Sequence, residues 1–269
     1  MKVAILGGAG VMGRWFSKFF IEQGYEVIIS GRTSQKVVDF SKKILVEVAA
    51  NNIDALKKAD IIMISVLMQN LEDVVKEIAP YVRGNQIVWD ITSVKEIPVE
   101  IMHRYIKKGT ILGTHPVFGP RARDTNQNFI LTPINEKEKK YAEELRKWLE
   151  ERGFTVSIMT PKKHDELMAV ILGFSHFIGL TVGDTWADLN FKEFDKAAGI
   201  SFKTLSTLVG NVVSTNPEFY SVLQMSLPDV DKVETLFREK VDKWLEIIKN
   251  KDKERFAEEM TTLRKKLDC

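Results

Sequence analysis

The stretch Lys2-Val3-Ala4-Ile5-Leu6-Gly7-Gly8-Ala9-Gly10-Val11-Met12-Gly13 decides the fold. A short apolar run ends in Gly8, Gly10 and Gly13, spaced G-x-G-x-x-G. A helix-like segment, Val11–Gln23, follows, with Trp15, Phe16, Phe19 and Phe20 on one side. Strand, glycine turn and helix in this order suit a dinucleotide. The first glycine allows the tight turn, the second lets the backbone approach a pyrophosphate, and the third packs the helix on the strand. The unpaired N–H groups of Val11, Met12 and Gly13 would present partial positive charge to the phosphates.

Outward from this turn, strand-like and helix-like segments alternate. Glu26–Ser30 reads as a strand and Ser34–Lys43 as a helix. Ile61–Val66 is apolar apart from Ser65, as in a strand buried on both faces. Ile87–Asp90 and Ile111–Thr114 are further strands, then come a charged helix at Glu136–Arg152 and a strand at Thr155–Met159. Repetition of this kind predicts a doubly wound parallel α/β sheet. Pro161 marks a change. Beyond it His164–Trp186, Lys203–Ser214, Glu218–Met225 and Asp229–Leu267 read as helices, with no strand evident. The expected architecture is a Rossmann domain over residues 1–161 and an all-helical domain over 162–269.

Composition narrows the classes. Thirty-nine Lys and Arg against 37 Asp and Glu give a formal charge of +2, so no basic surplus suggests a nucleic-acid partner. The one cysteine, Cys269, permits neither a disulfide framework nor a Cys-based zinc site and fits a cytoplasmic protein. The four histidines lie far apart, so no metal is expected. No run of about 18 consecutive apolar residues suggests a membrane span.

The end of the second strand bears on cofactor choice. An NAD site usually carries a carboxylate there for the ribose 2′-hydroxyl. Here the chain reads Ser30-Gly31-Arg32-Thr33, with Lys36 one turn on. Arg32 can pair with a 2′-phosphate, and Ser30 and Thr33 offer hydroxyls, which predicts NADP over NAD. Two further loops follow strand ends: Asp90-Ile91-Thr92-Ser93-Val94-Lys95, and His115-Pro116-Val117-Phe118-Gly119-Pro120. Ser93, Lys95 and His115 would face the nicotinamide end of the cofactor, where a neutral imidazole can accept a proton.

These residues resemble the signatures of the prephenate dehydrogenase family, as does His164-Asp165-Glu166-Leu167-Met168 followed by Ser175-His176-Phe177. The resemblance implies a Rossmann domain followed by a helical dimer-forming domain. It also implies oxidative decarboxylation of prephenate or arogenate in tyrosine biosynthesis. By position, His115 would take the proton of the substrate's ring hydroxyl and Ser93 would bond to that histidine. Lys95 would lie near the substrate and cofactor anions, and His176 would line the substrate pocket. His164 would serve a helix start. The family's carboxylate-binding Arg is missing before Asn216-Pro217-Glu218-Phe219-Tyr220. Lys203, with Asn211 on the same helical stripe and Ser201 as N-cap, or Arg121, would replace it. The expected partners are a small-molecule substrate and a second copy of the chain. Competing expectations are a deazaflavin:NADP or β-hydroxyacid type oxidoreductase, and a non-catalytic NADP-sensing scaffold.

Overall fold

The computed structural model describes residues 1–31, 34–44, 46–119, 127–189 and 191–268. Arg32, Thr33, Arg121 and Cys269 lie outside them. In chain order the first elements are β1 (Lys2–Leu6), α1 (Val11–Glu22), β2 (Glu26–Ser30), α2 (Ser34–Ser41), β3 (Glu47–Val48), α3 (Asn52–Lys57), β4 (Ile61–Ile64) and α4 (Leu71–Ile78). Then come β5 (Ile87–Asp90), α5 (Glu96–Tyr105), β6 (Thr110–Pro116), β7 (Gln127–Thr132), α6 (Glu136–Glu150), β8 (Phe154–Ile158) and α7 (Pro161–Met168).

The strands form one sheet in the order β3-β2-β1-β4-β5-β6-β7-β8. Neighbours are parallel except β6 and β7. The winding reverses at β1, between β2 and β4, and a ligand site in such a sheet lies at the carboxyl ends of the strands. One row of paired residues, Ser30, Leu6, Ile64, Asp90 and Gly113, marks that edge.

Both faces of the central strands are covered, so Val3–Leu6, Val27–Ile29 and Ile61–Ile64 are apolar throughout. Ala4, Leu6, Ile28, Ile62, Ile64 and Val88 pack against Leu56, Leu71, Val75, Val99 and Met102 from α3, α4 and α5. Val3, Ile5, Val27, Ile29, Met63 and Trp89 pack against Phe16 and Phe20 of α1 and Leu145 and Leu149 of α6. Each fully buried Leu, Ile or Phe contributes about 1.5–3 kcal/mol by leaving water.

Three elements carry little sequence signal. The two-residue β3 and six-residue α3 are too short for a visible period. In β7 the polar Gln127 and Asn128 hide a strand whose Phe129 and Leu131 are buried. Its antiparallel pairing with β6 needs no crossover helix, so the helix–strand alternation lapses there.

After α7 the chain runs through a π-helical stretch, Ala169–Phe174, into α8 (Ser175–Asp188). Then follow α9 (Phe191–Phe194), α10 (Ile200–Val213), α11 (Pro217–Ser226), α12 (Val230–Lys249) and α13 (Lys253–Lys266). Two sequence expectations change here. Gly199, extended at φ −79 and ψ 179, caps α10 in place of Ser201, because the Lys203 N–H already bonds to the Gly199 carbonyl. The run Asp229–Leu267 breaks into α12 and α13 where Lys251 adopts φ 51 and the Asp252 side chain caps the Arg255 N–H.

The chain divides into two compact units, Met1–Met168 with Thr215–Leu227, and Ala169–Ser214 with Pro228–Cys269. Pro161 predicts an earlier break. The contacts keep α7 with the sheet because it packs on α5 and β7. Within the second unit α8 lies on α10, with Trp186 stacked on Phe202 at 4.7 Å. Pro161–Asp188 is one helical stretch of 28 residues containing a window of mean hydropathy 1.6. By length and composition alone it could cross a bilayer, which the search for uninterrupted apolar residues does not reveal.

The glycine turn is close-packed. A Cβ on Gly13 would lie 2.6 Å from the Gly7 carbonyl oxygen and 2.7 Å from the Gly8 Cα, both backbone atoms that cannot rotate away. Gly13→Ala is expected to lower stability by about 1–3 kcal/mol through overpacking, read from the urea midpoint at unchanged m-value. An unchanged midpoint would contradict this packing.

Candidate active site

The glycine turn is held from β2. The Gly7 and Gly8 N–H groups both donate to the Ser30 carbonyl at 3.0 Å, and Gly10 N–H donates to Gly7 O at 2.9 Å. Gly7 takes φ +86, and a Cβ there would meet Ser65 O at 2.2 Å. Gly10 is the N-cap of α1 without a side-chain cap, and Val11 is 65% exposed. Arg14 N–H makes the first helical bond to Gly10 O, so the preceding N–H groups of Val11, Met12 and Gly13 remain at the helix start. A bare backbone with outward N–H groups fits a pyrophosphate.

Ser30 serves this turn differently from expectation. Its side chain is fully buried, and Oγ donates to Asn52 Oδ1 at 2.7 Å. Asn52 Nδ2 in turn donates to Glu77 Oε2 at 2.7 Å. The hydroxyl is thus used inside the protein, and the Ser30 carbonyl positions the turn. Lys36 is exposed on α2.

At the β5 edge, Asp90 and Lys95 form an ion pair with both side chains at 0% exposure. Thr92 N–H donates to Asp90 Oδ2 at 3.0 Å, and Lys95 Nζ reaches Thr92 Oγ1 at 3.1 Å. Lys95 is therefore not placed to meet ligand anions, a correction to its expected role. Burial pushes its pKa down, and Asp90 opposes that shift. Ser93, between these residues, remains half-buried.

The central feature is a chain of side chains that sequence spacing does not suggest. His115, on β6 and 3% exposed, has Nδ1 2.8 Å from His164 Nε2. His164, on α7 and 0% exposed, has Nδ1 2.6 Å from Asp165 Oδ1. Asp165 Oδ1 also accepts the Lys95 N–H at 2.7 Å, and its Oδ2 accepts the Glu96 N–H at 2.9 Å. One carboxylate thus caps the start of α5 and terminates the histidine pair.

His164 is therefore more than a helix-start residue. Ser93 makes no hydrogen bond to His115; that ring nitrogen belongs to His164. Among the described residues nothing bonds to His115 Nε2. Desolvation, then the electrostatic effect of a second proton on the neighbouring His164 and of Lys95, hold His115 well below the usual histidine range. Desolvation also lowers His164 against the opposing pull of Asp165. Both rings are neutral near pH 7.

The remaining expected residues lie in the second unit. His176 sits half-buried on α8, where burial pushes its pKa down to about 4. Lys203, Thr207 and Asn211 share an exposed stripe of α10, with Thr207 Oγ1 donating to Lys203 O at 2.9 Å. Among the described residues no group of three or more His, Cys, Asp or Glu could hold a metal.

Comparison with known proteins identifies the family. A probable arogenate/prephenate dehydrogenase from Methanocaldococcus jannaschii is 35% identical over 265 residues, covering 97% of this chain and 59% of that protein. The chain spans about three fifths of the length of the curated relatives it matches. Two solved structures share the fold. Aquifex aeolicus prephenate dehydrogenase, in complex with hydroxyphenyl propionate and NAD+, gives a TM-score of 0.81 at 19% identity over 99% of this chain and 96% of that one. Synechocystis arogenate dehydrogenase gives 0.76 at 21% identity over 100% and 99%. Residues 16–158 match the prephenate dehydrogenase nucleotide-binding domain, and residues 160–262 match the prephenate dehydrogenase dimerization domain. With the glycine turn, the buried Asp90–Lys95 loop and His115 at one sheet edge, the chain belongs to the prephenate dehydrogenase family.

Proposed function

We propose that this chain oxidises and decarboxylates prephenate to 4-hydroxyphenylpyruvate in tyrosine biosynthesis, with arogenate as the alternative substrate. The observation that carries the reading is His115 Nε2: the nitrogen of a 3%-exposed neutral imidazole that has no protein partner among the described residues, at the carboxyl edge of the sheet. It lies three strands from the glycine turn, or about 14 Å at ~4.8 Å per strand.

The nicotinamide cofactor, when bound, supplies the hydride acceptor. His115 Nε2 takes the hydroxyl proton as hydride leaves the same ring carbon and a carbonyl forms. The ring carboxylate then departs as CO2, leaving its bonding electrons to complete the aromatic ring. Val11, Met12 and Gly13 present the backbone N–H groups for the pyrophosphate, and Ser93 flanks the reacting end. Lys203 and Asn211 keep the exposure that an anion anchor needs, and Lys95 does not. Arg121 is the other cation proposed for that task.

A preference for NADP rests on the missing carboxylate after β2 and on Arg32, Thr33 and Lys36. A charged hydrogen bond of about 1.5–3 kcal/mol corresponds to roughly 10–150-fold between the two cofactors. Arg32→Ala should remove that preference by weakening NADP alone. Equal kcat/KM for NAD and NADP in the wild type would exclude it.

His115→Asn should lower kcat by roughly 10²–10⁴ with little change in cofactor binding. The base works unprotonated and its pKa is depressed, so activity should be flat through neutral pH. It should fall only well below the ordinary histidine value of about 6.5. Turnover of prephenate and arogenate, followed through NADPH formation, tests the reading. An Asn variant above a tenth of wild-type kcat would remove His115 as the base.

The helical unit is proposed to pair with a second copy. Val170, Ile171, Leu180, Leu236 and Leu245 are 42–51% exposed within one chain, an amount of apolar surface that a homodimer would cover. That apolar surface also accounts for the hydropathy of Pro161–Asp188 without a membrane, in keeping with a cytoplasmic enzyme. Light scattering at micromolar concentration should give twice the chain mass; a monomer would end the idea.

A further inference from the structure

We propose that Asp165, acting through His164, fixes the tautomer of His115, so that Nε2 and not Nδ1 is the proton acceptor. His164 and Asp165 are positioning residues under this proposal, which rests on His115 being the base.

The argument is one of hydrogen counting. The Asp165 carboxylate accepts two backbone N–H groups at the start of α5, one on each oxygen. An ionised carboxylate only accepts, so the hydrogen in the 2.6 Å contact belongs to His164 Nδ1. Neutral His164 then has its lone pair on Nε2. That lone pair faces His115 Nδ1 at 2.8 Å, so His115 carries its hydrogen on Nδ1. The lone pair of His115 is left on Nε2. Reversing either ring would set two N–H groups, or two lone pairs, against each other inside a buried contact. The direction of both bonds is therefore set at the carboxylate, two hydrogen bonds away from the reacting nitrogen.

The same arrangement suits the proton once it arrives. A His115 cation keeps its Nδ1–H on His164, with the Asp165 charge beyond. Burial excludes water from the pair, so no solvent molecule can substitute for either acceptor.

The test is ¹⁵N NMR of the histidine-labelled full chain at neutral pH, with His115→Asn assigning the signals. Wild-type His115 should show a hydrogen on Nδ1 and a bare, pyridine-type Nε2. A hydrogen on Nε2 would overturn the proposal at once. His164→Phe keeps a ring in the space and leaves Asp165 its two bonds to α5. It should shift His115 toward the Nε2–H form that an unpartnered imidazole prefers. It should also lower kcat by roughly 10²–10⁴, with KM and the NADP dissociation constant within about twofold, since loss of the correct tautomer acts on the chemical step. A retained bare Nε2, or a kcat within about threefold of wild type, would refute the relay. Should His164→Phe not fold, Asp165→Ala is judged by the same two readouts. The spectra need no substrate. If neither prephenate nor arogenate turns over while the tautomers behave as stated, the functional reading fails and the relay stands. If turnover is normal in the variants, the relay alone fails.

Discussion

An ammonium and a carboxylate taken wholly out of water must be matched to each other, and the edge of this sheet is built around that demand. Lys95 and Asp90 are both fully buried, and removing one partner of such a pair typically costs about 3–5 kcal/mol. The loop between them closes on itself through Thr92. Thr114, on the next strand, donates to the Asp90 carbonyl at 2.6 Å and ties the loop to β6 one residue before His115. From the other side Asp165 grips the backbone of Lys95 and Glu96. The lysine that looks like a ligand-binding cation is thus a strut, and the segment it braces holds Ser93 at the edge.

Burial also governs the protonation of the imidazole at this edge. A histidine in water is part-protonated near neutrality. Here burial first, then the neighbouring His164 and Lys95, hold His115 well below the usual histidine range. Asp165 opposes the shift at His164 without abolishing it. A base that is neutral and oriented before substrate arrives needs no rearrangement at the chemical step.

Much of this was legible in the chain. Gly8, Gly10 and Gly13 announced the turn, and the apolar runs at Ile61–Ile64 and Ile87–Trp89 announced buried parallel strands. Local patterns carry such information because the strands and turn are short-range objects. The relay is not one. His115 and His164 are 49 residues apart and meet because β7, α6 and β8 return the chain to α5. Histidine and aspartate just after Pro161 read equally well as the polar start of a helix. Lys95 looked like a ligand-facing cation because spacing does not report burial, and Ser30 looked available because its partner Asn52 lies 22 residues on. The break at Lys251 was masked by helix-favouring neighbours on both sides, though Asp252 is a good cap.

The π-helical stretch Ala169–Phe174 sets the phase of the helix beyond it. A widened turn of this kind accommodates an extra residue in an α-helix, and each residue added or removed rotates the downstream turns by about 100°. Deleting one residue there would leave composition and hydropathy almost untouched, yet it would carry His176 and the rest of α8 to another face of the helix.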